Sequence, residues 1–220
     1  MKYKQIIFDF DGVLAETNNI RFNGFVKLFK DFSKEKLDHF IDYIRYNGGL
    51  SRYKKIQYFF NKILQKPVSD DAILEWAERY SRLVKESVIK AKPVEGSLDF
   101  LENYASRFEF SIVSGSDQEE LRSVCSARKI KHYFVEIMGS PPEKDINIAN
   151  LLIGKHWKRE TCLYVGDSIN DYDAARKNGI DFIGRNSGLI DWRVLEDVKC
   201  IDTLNQLYAL VSKGCQRRVR

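Results

Sequence analysis

The sequence of 220 residues is poor in the residue types that mark several common protein classes. It has 4 Cys, none spaced as Cys-x-x-Cys, so neither a disulfide framework nor a cysteine-bound zinc site is indicated. Its 3 His, at positions 39, 132 and 156, are scattered and predict no histidine metal site. No segment resembles a signal peptide or a transmembrane helix. We therefore expect a cytoplasmic protein with reduced thiols and no membrane association.

Signatures of nucleotide and nucleic acid binding are also absent. The chain contains no Gly-x-x-x-x-Gly-Lys-Ser/Thr loop and no dinucleotide-binding glycine fingerprint, and it has no repeats. The net charge of +5 is modest, and surface lysines explain it as well as an anionic substrate does. The basic residues at 216–220 form a tail too short to indicate nucleic acid binding. We expect no nucleic acid partner, and a monomer or a dimer.

The feature that indicates chemistry is a pair of carboxylates at the end of the first apolar run. Ile6-Ile7-Phe8 predicts a short buried strand, and Asp9 and Asp11 follow where it gives way to a loop. Ligands bind at the carboxyl ends of the strands in an open α/β sheet. Residues two apart on a strand point the same way, so these carboxylates repel unless a cation or a shared proton relieves them. An Asx turn is the structural alternative.

A second apolar strand, predicted at 108–115, is also followed by polar residues. It ends in Ser114-Gly115-Ser116, and Asp117 is a suitable N-cap for a following helix. A small hydroxyl, a glycine and a helix N-terminus together can bind an anion through backbone N–H groups. An ordinary strand–turn–helix connection is the alternative.

A third segment, at 161–173, leads from an apolar strand into Gly166-Asp167 and then Asn170-Asp171. Carboxylate and amide oxygens are hard ligands suited to Mg²⁺, which takes one or two protein carboxylates and keeps several waters. An acidic helix N-terminus is the alternative. Lys144 stands at the head of another predicted helix between these segments, although a lone lysine is usually solvated.

Taken together and in this order, the motifs around Asp9, Ser114, Lys144 and Asp167 resemble those of the haloacid dehalogenase-like hydrolases. Because the first motif contains a second aspartate, Asp11, it resembles the motif of the phosphoryl-transferring branch rather than that of the true dehalogenases. The resemblance implies an α/β fold, with a Rossmann-like, doubly wound parallel sheet as the core and an inserted all-α helical cap. We expect the core at 1–15 and 92–220 and the cap at 16–91, and the alternation of elements predicts five or six strands.

The resemblance assigns distinct roles to the two aspartates of the first motif. Asp9 is the expected nucleophile, which forms an aspartyl-phosphate. Asp11 is the expected general acid, which protonates the leaving alkoxide and then activates the hydrolytic water. Since Asp11 must carry a proton in the first step, we expect an environment that raises its pKa.

The resemblance also implies a Mg²⁺ site and a phosphate site. The cation is expected on the Asp9 carboxylate, the Asp11 backbone carbonyl and Asp167. Asp171 is expected to support its waters or to hold Lys144. Phosphoryl binding is assigned to Gly12, Ser114, Gly115 and Lys144, the glycines because they allow close backbone approach.

The segment at 16–91 carries apolar residues at helical spacing and predicts about four helices. Its only glycine pair, Gly48-Gly49, is followed by Ser51, a possible N-cap, and Arg52. This stretch resembles the Gly-x-Ser-Arg specificity loop of the β-phosphoglucomutase-like branch. Gly49, Ser51 and Arg52 are therefore the expected substrate residues of the cap, with Arg52 meeting a distal anionic or polar group. An exposed arginine at a helix N-terminus is the alternative.

The chain departs from the mutase pattern shortly after the first motif. That pattern continues with Asp-Thr and then a His that serves acid/base chemistry, whereas this chain has Glu16-Thr17 and, at the His position, Arg21. The difference favours a plain phosphatase over a mutase. Glu16 and Thr17 fall where we expect either the cap hinge or the start of the first cap helix.

The leading expectation is a Mg²⁺-dependent phosphatase of a small phosphorylated metabolite, with a sugar phosphate as the expected substrate. A β-phosphoglucomutase-like phosphosugar mutase is the first alternative. Phosphonate hydrolysis would need a cap lysine that forms a Schiff base, and Lys54 or Lys55 is available. Both lysines, like Arg45, are nevertheless expected on solvated helix faces. A catalytically silent binding protein is the last alternative, and the intact motif residues argue against it.

Overall fold

In the computed structural model, which describes residues 2–195 and 197–212, the core is built on one sheet of six parallel strands. The strands are β1 (Gln5–Phe8), β2 (Glu109–Asp117), β3 (Phe134–Ser140), β4 (Cys162–Gly166), β5 (Asp181–Arg185) and β6 (Lys199–Ile201). Their order in the sheet is β3-β2-β1-β4-β5-β6. This confirms the expected parallel sheet. Cys215 and the basic tail at 216–220 lie outside the described residues.

Helices form the cap and flank the sheet. The segment at 16–91, which is the expected cap and is called the cap below, contains α1 (Asn18–Leu28), α2 (Lys34–Tyr46), α3 (Arg52–Tyr58), which continues into a π-helical turn (Phe59–Ile63), and α4 (Asp70–Lys90). The core contains α5 (Ser97–Tyr104), α6 (Gln118–Ala127), α7 (Lys144–Gly154), α8 (Ile169–Asn178) and α9 (Leu207–Ser212). None of these described helices is long and apolar enough to cross a membrane.

The side chains of β1 alternate between two hydrophobic clusters, one on each face of the sheet. Ile6 and Phe8 belong to the larger cluster, which extends into the cap. Ile7 belongs to the smaller cluster, with Ile148 of α7 and Ala174 of α8. This period of two is that of a strand buried on both faces, and it confirms the doubly wound arrangement.

The strand order places a ligand-binding crevice beside β1. The chain starts at β1, builds outward through β2 and β3, and then returns to the other side of β1 with β4, β5 and β6. At such a switch point the connections diverge and open a crevice beyond the carboxyl ends of the strands. Because β1 pairs with both β2 and β4, the segments that follow these three strands converge there.

The cap joins the core through two neighbouring chain segments. Ala15 and Pro93 form an isolated antiparallel bridge. Beside it, the backbone N–H of Glu16 donates to the Lys92 carbonyl at 2.9 Å. The entry to the cap and its exit are therefore tied together at the edge of the crevice.

The interior of the cap is aromatic. Phe29 stacks on Phe59 with ring centroids 3.9 Å apart, and Phe40 meets each of them edge-on at 5.1 Å. Phe25 of α1 stacks on Tyr80 of α4 at 4.2 Å. The helical spacing of apolar residues in this segment thus has a physical cause, because the rings fill the space between four helices.

The predicted end of the second strand differs from the structure. β2, predicted at 108–115, runs from Glu109 to Asp117, and the neighbouring β3 continues to Ser140. A register shift between Val113 and Asp117 bends β2 relative to β3, so its polar residues stay in the strand while turning toward the crevice. Gly179 caps the C-terminus of α8, with a φ of +65° that a glycine adopts without strain.

Replacing Gly24 by alanine is expected to destabilise the protein by about 1–3 kcal/mol, as overpacking of a filled interior does. A Cβ at Gly24 would lie 2.2 Å from Val84 Cγ1, in the contact between α1 and α4. Gly154 is the matched control, because a Cβ there meets no atom within 4 Å. Urea unfolding of Gly24→Ala and Gly154→Ala measures both changes; equal stability of the two variants would contradict the close packing of α1 on α4.

Candidate active site

A cavity of about 390 Å³ lies between the carboxyl ends of the central strands and the cap. Both parts of the chain line it. The core contributes Asp9, Asp11, Ser114, Gly115, Lys144 and Asp167, and the cap contributes Arg21, Gly49, Arg52, Lys55 and Tyr80. Most of the residues expected from the sequence are therefore brought to one place. Gly12, Ser51 and Asp171 do not line this cavity but support residues that do.

Three buried carboxylates form an acidic cluster at the base of the cavity. Asp9, Asp167 and Asp171 each offer an oxygen within 4.8 Å of the others. Burial, together with the neighbouring carboxylates, raises the pKa of Asp9 to about 6, although Lys144 opposes the shift. Burial and the same neighbours raise the pKa of Asp167 to about 8. A cation bound between Asp9 and Asp167 would relieve this repulsion.

Asp171 is bound by protein donors on both of its oxygens. Oδ1 accepts hydrogen bonds from Lys144 Nζ at 2.6 Å and from the Tyr164 hydroxyl at 2.9 Å. Oδ2 accepts from the backbone N–H and the hydroxyl of Ser168, at 3.0 and 2.7 Å, and so caps α8. Asp171 thus holds Lys144, one of the two supporting roles expected for it.

Lys144 lies between two carboxylates at the head of α7. Its Nζ is 2.9 Å from Asp9 Oδ2 and 2.6 Å from Asp171 Oδ1. Burial lowers the pKa of Lys144, but the two carboxylates raise it more, and the net shift is upward. Lys144 is therefore a permanent cation beside Asp9.

The environment of Asp11 is the opposite of the expected one. Its Oδ1 accepts from the Thr17 hydroxyl at 2.5 Å and from Arg21 Nε at 2.9 Å, and its Oδ2 accepts from the Ser116 hydroxyl at 2.7 Å. Burial raises the pKa of Asp11, but the Arg21 charge and these hydrogen bonds lower it below its usual value. The expectation of a raised pKa is therefore wrong, because Arg21 stabilises the charged form.

Arg21 and Arg52, both from the cap, converge on the core residue Glu120. Arg52 makes a bidentate pair with Glu120, with Nη–Oε distances of 2.8 and 2.7 Å, and Arg21 Nη1 lies 2.6 Å from Glu120 Oε1. Ser81 also donates to Glu120. Burial raises the pKa of Glu120, but the two arginines lower it to about 2.

The ion pair with Glu120 determines where Arg52 lies. Arg52 is only 5% exposed, so the alternative of a solvent-exposed arginine is wrong. Arg52 lines the cavity, but its guanidinium is bound by Glu120, a residue that no motif singles out. Glu120 lies in the first turn of α6, directly after the strand that carries Ser114 and Ser116, and this closeness in sequence is the signal that could have pointed to the site.

Lys55 is a second correction, because it does not lie on a solvated helix face. It is 7% exposed and lines the cavity, and its Nζ donates to the Gly48 carbonyl at 2.7 Å. Burial lowers its pKa to about 7. Lys54, next to it, is exposed and pairs with Glu143, as a solvated lysine does.

The loop at 47–51 of the cap touches the core through glycines. A Cβ at Gly115 would lie 2.4 Å from the Gly49 carbonyl oxygen, and a Cβ at Gly49 would lie 2.3 Å from Ser168 Oγ. Both glycines are therefore needed for the backbones to approach this closely. Ser51 caps α3 as expected, since its Oγ accepts from the Lys54 N–H at 3.3 Å.

The loop after Asp11 is shaped to fit against Asp167. Gly12 has a φ of +70°, and a Cβ there would lie 2.0 Å from Asp167 Oδ2. Asn18 donates to the same oxygen at 2.7 Å, and Arg185 donates to the Gly12 carbonyl at 3.1 Å. The buried oxygens of Asp9 and Asp167, with raised pKa values, fit a hard divalent cation.

Comparisons with known proteins agree with this geometry. The family model described as haloacid dehalogenase-like hydrolase matches residues 6–185. A comparison with curated proteins found no match. A structure described as a predicted phosphatase from Clostridium acetobutylicum is 16% identical, with a TM-score of 0.77, and covers 96% of this chain and 99% of its own.

Two further solved structures are similar over nearly the whole chain. β-Phosphoglucomutase from Clostridium difficile is 17% identical, with a TM-score of 0.74, and 96% of each chain is covered. The protein YfnB from Bacillus subtilis, described as a HAD-hydrolase bound to magnesium, is 16% identical, with a TM-score of 0.68 and coverages of 96% and 100%. At these identities the similarity establishes the shared fold.

Replacing Glu120 by glutamine is expected to lower the free energy of unfolding by about 3–5 kcal/mol at pH 7, because the buried Arg52 loses its counter-charge and Arg21 keeps only Asp11. Glu119, which is on the same helix and 83% exposed, is the matched control, and Glu119→Gln is expected to change stability by less than about 0.5 kcal/mol. Urea unfolding measures both.

The pH dependence gives a further check on the same variant. The pKa of Glu120 is lowered to about 2 in the folded protein, whereas it is about 4.3 in the unfolded chain. The contribution of Glu120 to the free energy of unfolding is therefore fully present above about pH 4.3 and is lost as the pH falls toward about 2. The stability difference between wild type and Glu120→Gln should therefore shrink as the pH is lowered below about 4. A difference that is constant from pH 7 to pH 3 would contradict the ion pairs.

Proposed function

The chain belongs to the haloacid dehalogenase-like hydrolases, and from that premise we propose that it is a Mg²⁺-dependent phosphatase of a small phosphorylated metabolite, with a sugar phosphate as the candidate substrate class. The observation that carries the proposal is the buried group of Asp9, Lys144 and Asp167 at the carboxyl ends of β1 and β4. It offers a nucleophile, a fixed cation and a second carboxylate for a metal in one cavity.

Asp9 is the proposed nucleophile. A carboxylate oxygen of Asp9 attacks phosphorus, the bond from phosphorus to the ester oxygen breaks, and an aspartyl-phosphate forms. Lys144, 2.9 Å from Asp9 Oδ2, favours the ionised form of Asp9 and places a positive charge where the phosphoryl oxygens arrive. Water then attacks the aspartyl-phosphate and releases inorganic phosphate.

Ser114 and Gly115 are the proposed phosphoryl-binding residues. Ser114 is 1% exposed, and its Oγ accepts from the Ser116 N–H at 3.2 Å, so its hydroxyl proton is free for another acceptor. Gly115 has no Cβ between the backbone and the cavity. Backbone and hydroxyl donors held in this way need no reorganisation when charge develops on the phosphoryl oxygens.

Asp11 is the proposed acid/base residue, and its ionised resting state suits one of the two steps. An ionised Asp11 can take a proton from the water that attacks the aspartyl-phosphate. In the first step the leaving oxygen needs a proton, so either the contact between Arg21 and Asp11 loosens or the leaving group is one that departs with little protonation. Arg21 therefore limits which esters can react.

Mg²⁺ would supply charge neutralisation at the phosphoryl oxygens when bound. The residues proposed to hold it are Asp9, Asp167 and the backbone carbonyl of Asp11. Asn18, which donates to Asp167 Oδ2 at 2.7 Å, would orient that carboxylate. The magnesium-bound state of YfnB supports this choice of metal.

A phosphosugar mutase is the second candidate, and the similarity to β-phosphoglucomutase supports it. Arg21 argues against it, because it stands where the acid/base His of that branch is expected and holds Asp11 ionised. Phosphonate hydrolysis is a weaker candidate. Lys54 is paired with Glu143 outside the cavity, which leaves only Lys55 for a Schiff base.

Replacing Asp9 by asparagine is expected to reduce phosphate release at least about a thousandfold, because the nucleophile is lost. Asp173, an exposed residue on α8, is the matched control, and Asp173→Asn should retain wild-type turnover. Release of phosphate with Mg²⁺ is measured across sugar phosphates, short-chain acid phosphates and nucleotides. Turnover unchanged in Asp9→Asn refutes the catalytic assignment, and isomerised sugar phosphates without release favour the mutase.

Mg²⁺ affinity is expected to rise with pH between about 6 and 8 and then to level off. The pKa values of Asp9 and Asp167, about 6 and about 8, mean that protons compete for the site in this range. Where the metal must displace one proton, its affinity falls about tenfold for each pH unit below the pKa of that carboxyl group. Calorimetric titration with MgCl₂ at pH 6, 7 and 8 measures this, and Asp167→Asn should remove the binding. Affinity independent of pH would contradict a site on these carboxylates.

A further inference from the structure

Lys55 differs from the other buried cations in having no salt-bridge partner among the described residues, although the charges of Asp11 and Asp9 act on it from farther away. Within the described residues, Arg52 pairs with Glu120, Lys144 pairs with Asp9 and Asp171, and Arg185 pairs with Glu16. Lys55 is as buried as these, yet the only acceptor it contacts is the Gly48 carbonyl. Of its three N–H bonds, two therefore have no acceptor among the described residues, and Lys55 lines the cavity.

The surroundings of Lys55 do not favour an uncompensated charge. Its Nζ lies 5.6 Å from the centre of the Phe25 ring, a cation–π contact, and Ile44 and Leu50 line the same cavity. Burying an ammonium group without a directly paired anion is unfavourable, and the contact with the ring offsets only part of this cost. Burial lowers the pKa of Lys55 more than the charges of Asp11 and Asp9 raise it, which agrees with a site that lacks a directly bound anion. An anionic ligand would restore the charged form.

The position of Lys55 on the cap indicates which part of a substrate it would meet. The groups proposed for the phosphoryl group, Asp9, Ser114 and Lys144, all belong to the core. The cap side of the cavity, called the cap wall here, is therefore left to contact the rest of the substrate. Arg52 and Arg21 line this wall too, but Glu120 and Asp11 already neutralise them. Arg45 lines the cavity as well, but it is 67% exposed and lies 3.9 Å from Asp42. Lys55 is thus the buried cap cation that can still bind an anion.

Resting on the phosphatase function proposed above, we propose that Lys55 binds a second anionic group on the leaving part of the substrate. The substrate class is then small phosphate monoesters that also carry a carboxylate or a second phosphate. A cavity of about 390 Å³ admits such a metabolite but not a polymer. The charge of Lys55 would select these esters over their neutral counterparts, because a neutral ester leaves the ammonium group unpaired.

The test compares matched esters that differ in the second anion. 3-Phosphoglycerate and glycerol 3-phosphate differ in a carboxylate, and fructose 1,6-bisphosphate and fructose 1-phosphate differ in a phosphate. Within at least one pair, the wild-type enzyme with Mg²⁺ should favour the anionic member in kcat/KM. Lys55→Met should lower that ratio about tenfold or more, the factor of one charge-assisted hydrogen bond. Lys54→Met, the adjacent exposed lysine, should keep the wild-type ratio.

The outcomes separate this inference from the phosphatase proposal. No preference in either pair, or the same ratio in Lys55→Met as in the wild type, overturns the inference while leaving the phosphatase intact. If no ester is turned over, calorimetric binding of the same four esters to Asp9→Asn and to Asp9→Asn with Lys55→Met decides. If Asp9→Asn binds the anionic member of a pair more tightly and this preference is lost when Lys55→Met is added, the anion site is supported although the phosphatase proposal fails. If Asp9→Asn binds both members of each pair equally, both proposals are overturned.

Discussion

The contact between Glu120 and two cap arginines is the interaction on which the closed arrangement depends. Glu120 belongs to the core, whereas Arg21 and Arg52 belong to α1 and α3 of the cap. A buried carboxylate without its cations, or buried cations without their carboxylate, would be strongly destabilising. Each part of the chain therefore carries buried charge that only the other part neutralises. The cap is held over the crevice by this requirement as well as by apolar packing.

The same network sets the ionisation of the site. Asp9 and Asp11 are two residues apart, yet their pKa values shift in opposite directions. Burial and neighbouring carboxylates outweigh Lys144 at Asp9, whereas at Asp11 the Arg21 charge and the hydrogen bonds together outweigh burial. Since Arg21 also contacts Glu120, the charge state of Asp11 is linked to cap position. Opening the cap would remove Arg21 from Asp11 and raise its pKa, so in the proposed mechanism the proton reaches Asp11 when that contact is loosened.

Much of the fold and of the core site could be predicted from the sequence, because short motifs mark the ends of the strands and also contain the site residues. The apolar run before Asp9 fixes β1, and the parallel order of strands brings Ser114 and Asp167 to its end. Glu120 and Lys55 could not be predicted in this way. Helical periodicity shows which face of a helix is apolar, but not which polar residues the other part of the chain covers. Their burial arises only when cap and core meet.

Two buried groups lack a counter-charge, and they differ in sign. Asp167 accepts from Asn18 but has no cationic partner among the described residues, and Lys55 has no anionic one. They line the same cavity, one from the core and the other from the cap. In the proposed function, a divalent cation would satisfy the first and an anion on the leaving group would satisfy the second. The contact between cap and core would then be most favourable with both bound, which would couple the position of the cap to the presence of the metal and a doubly anionic substrate.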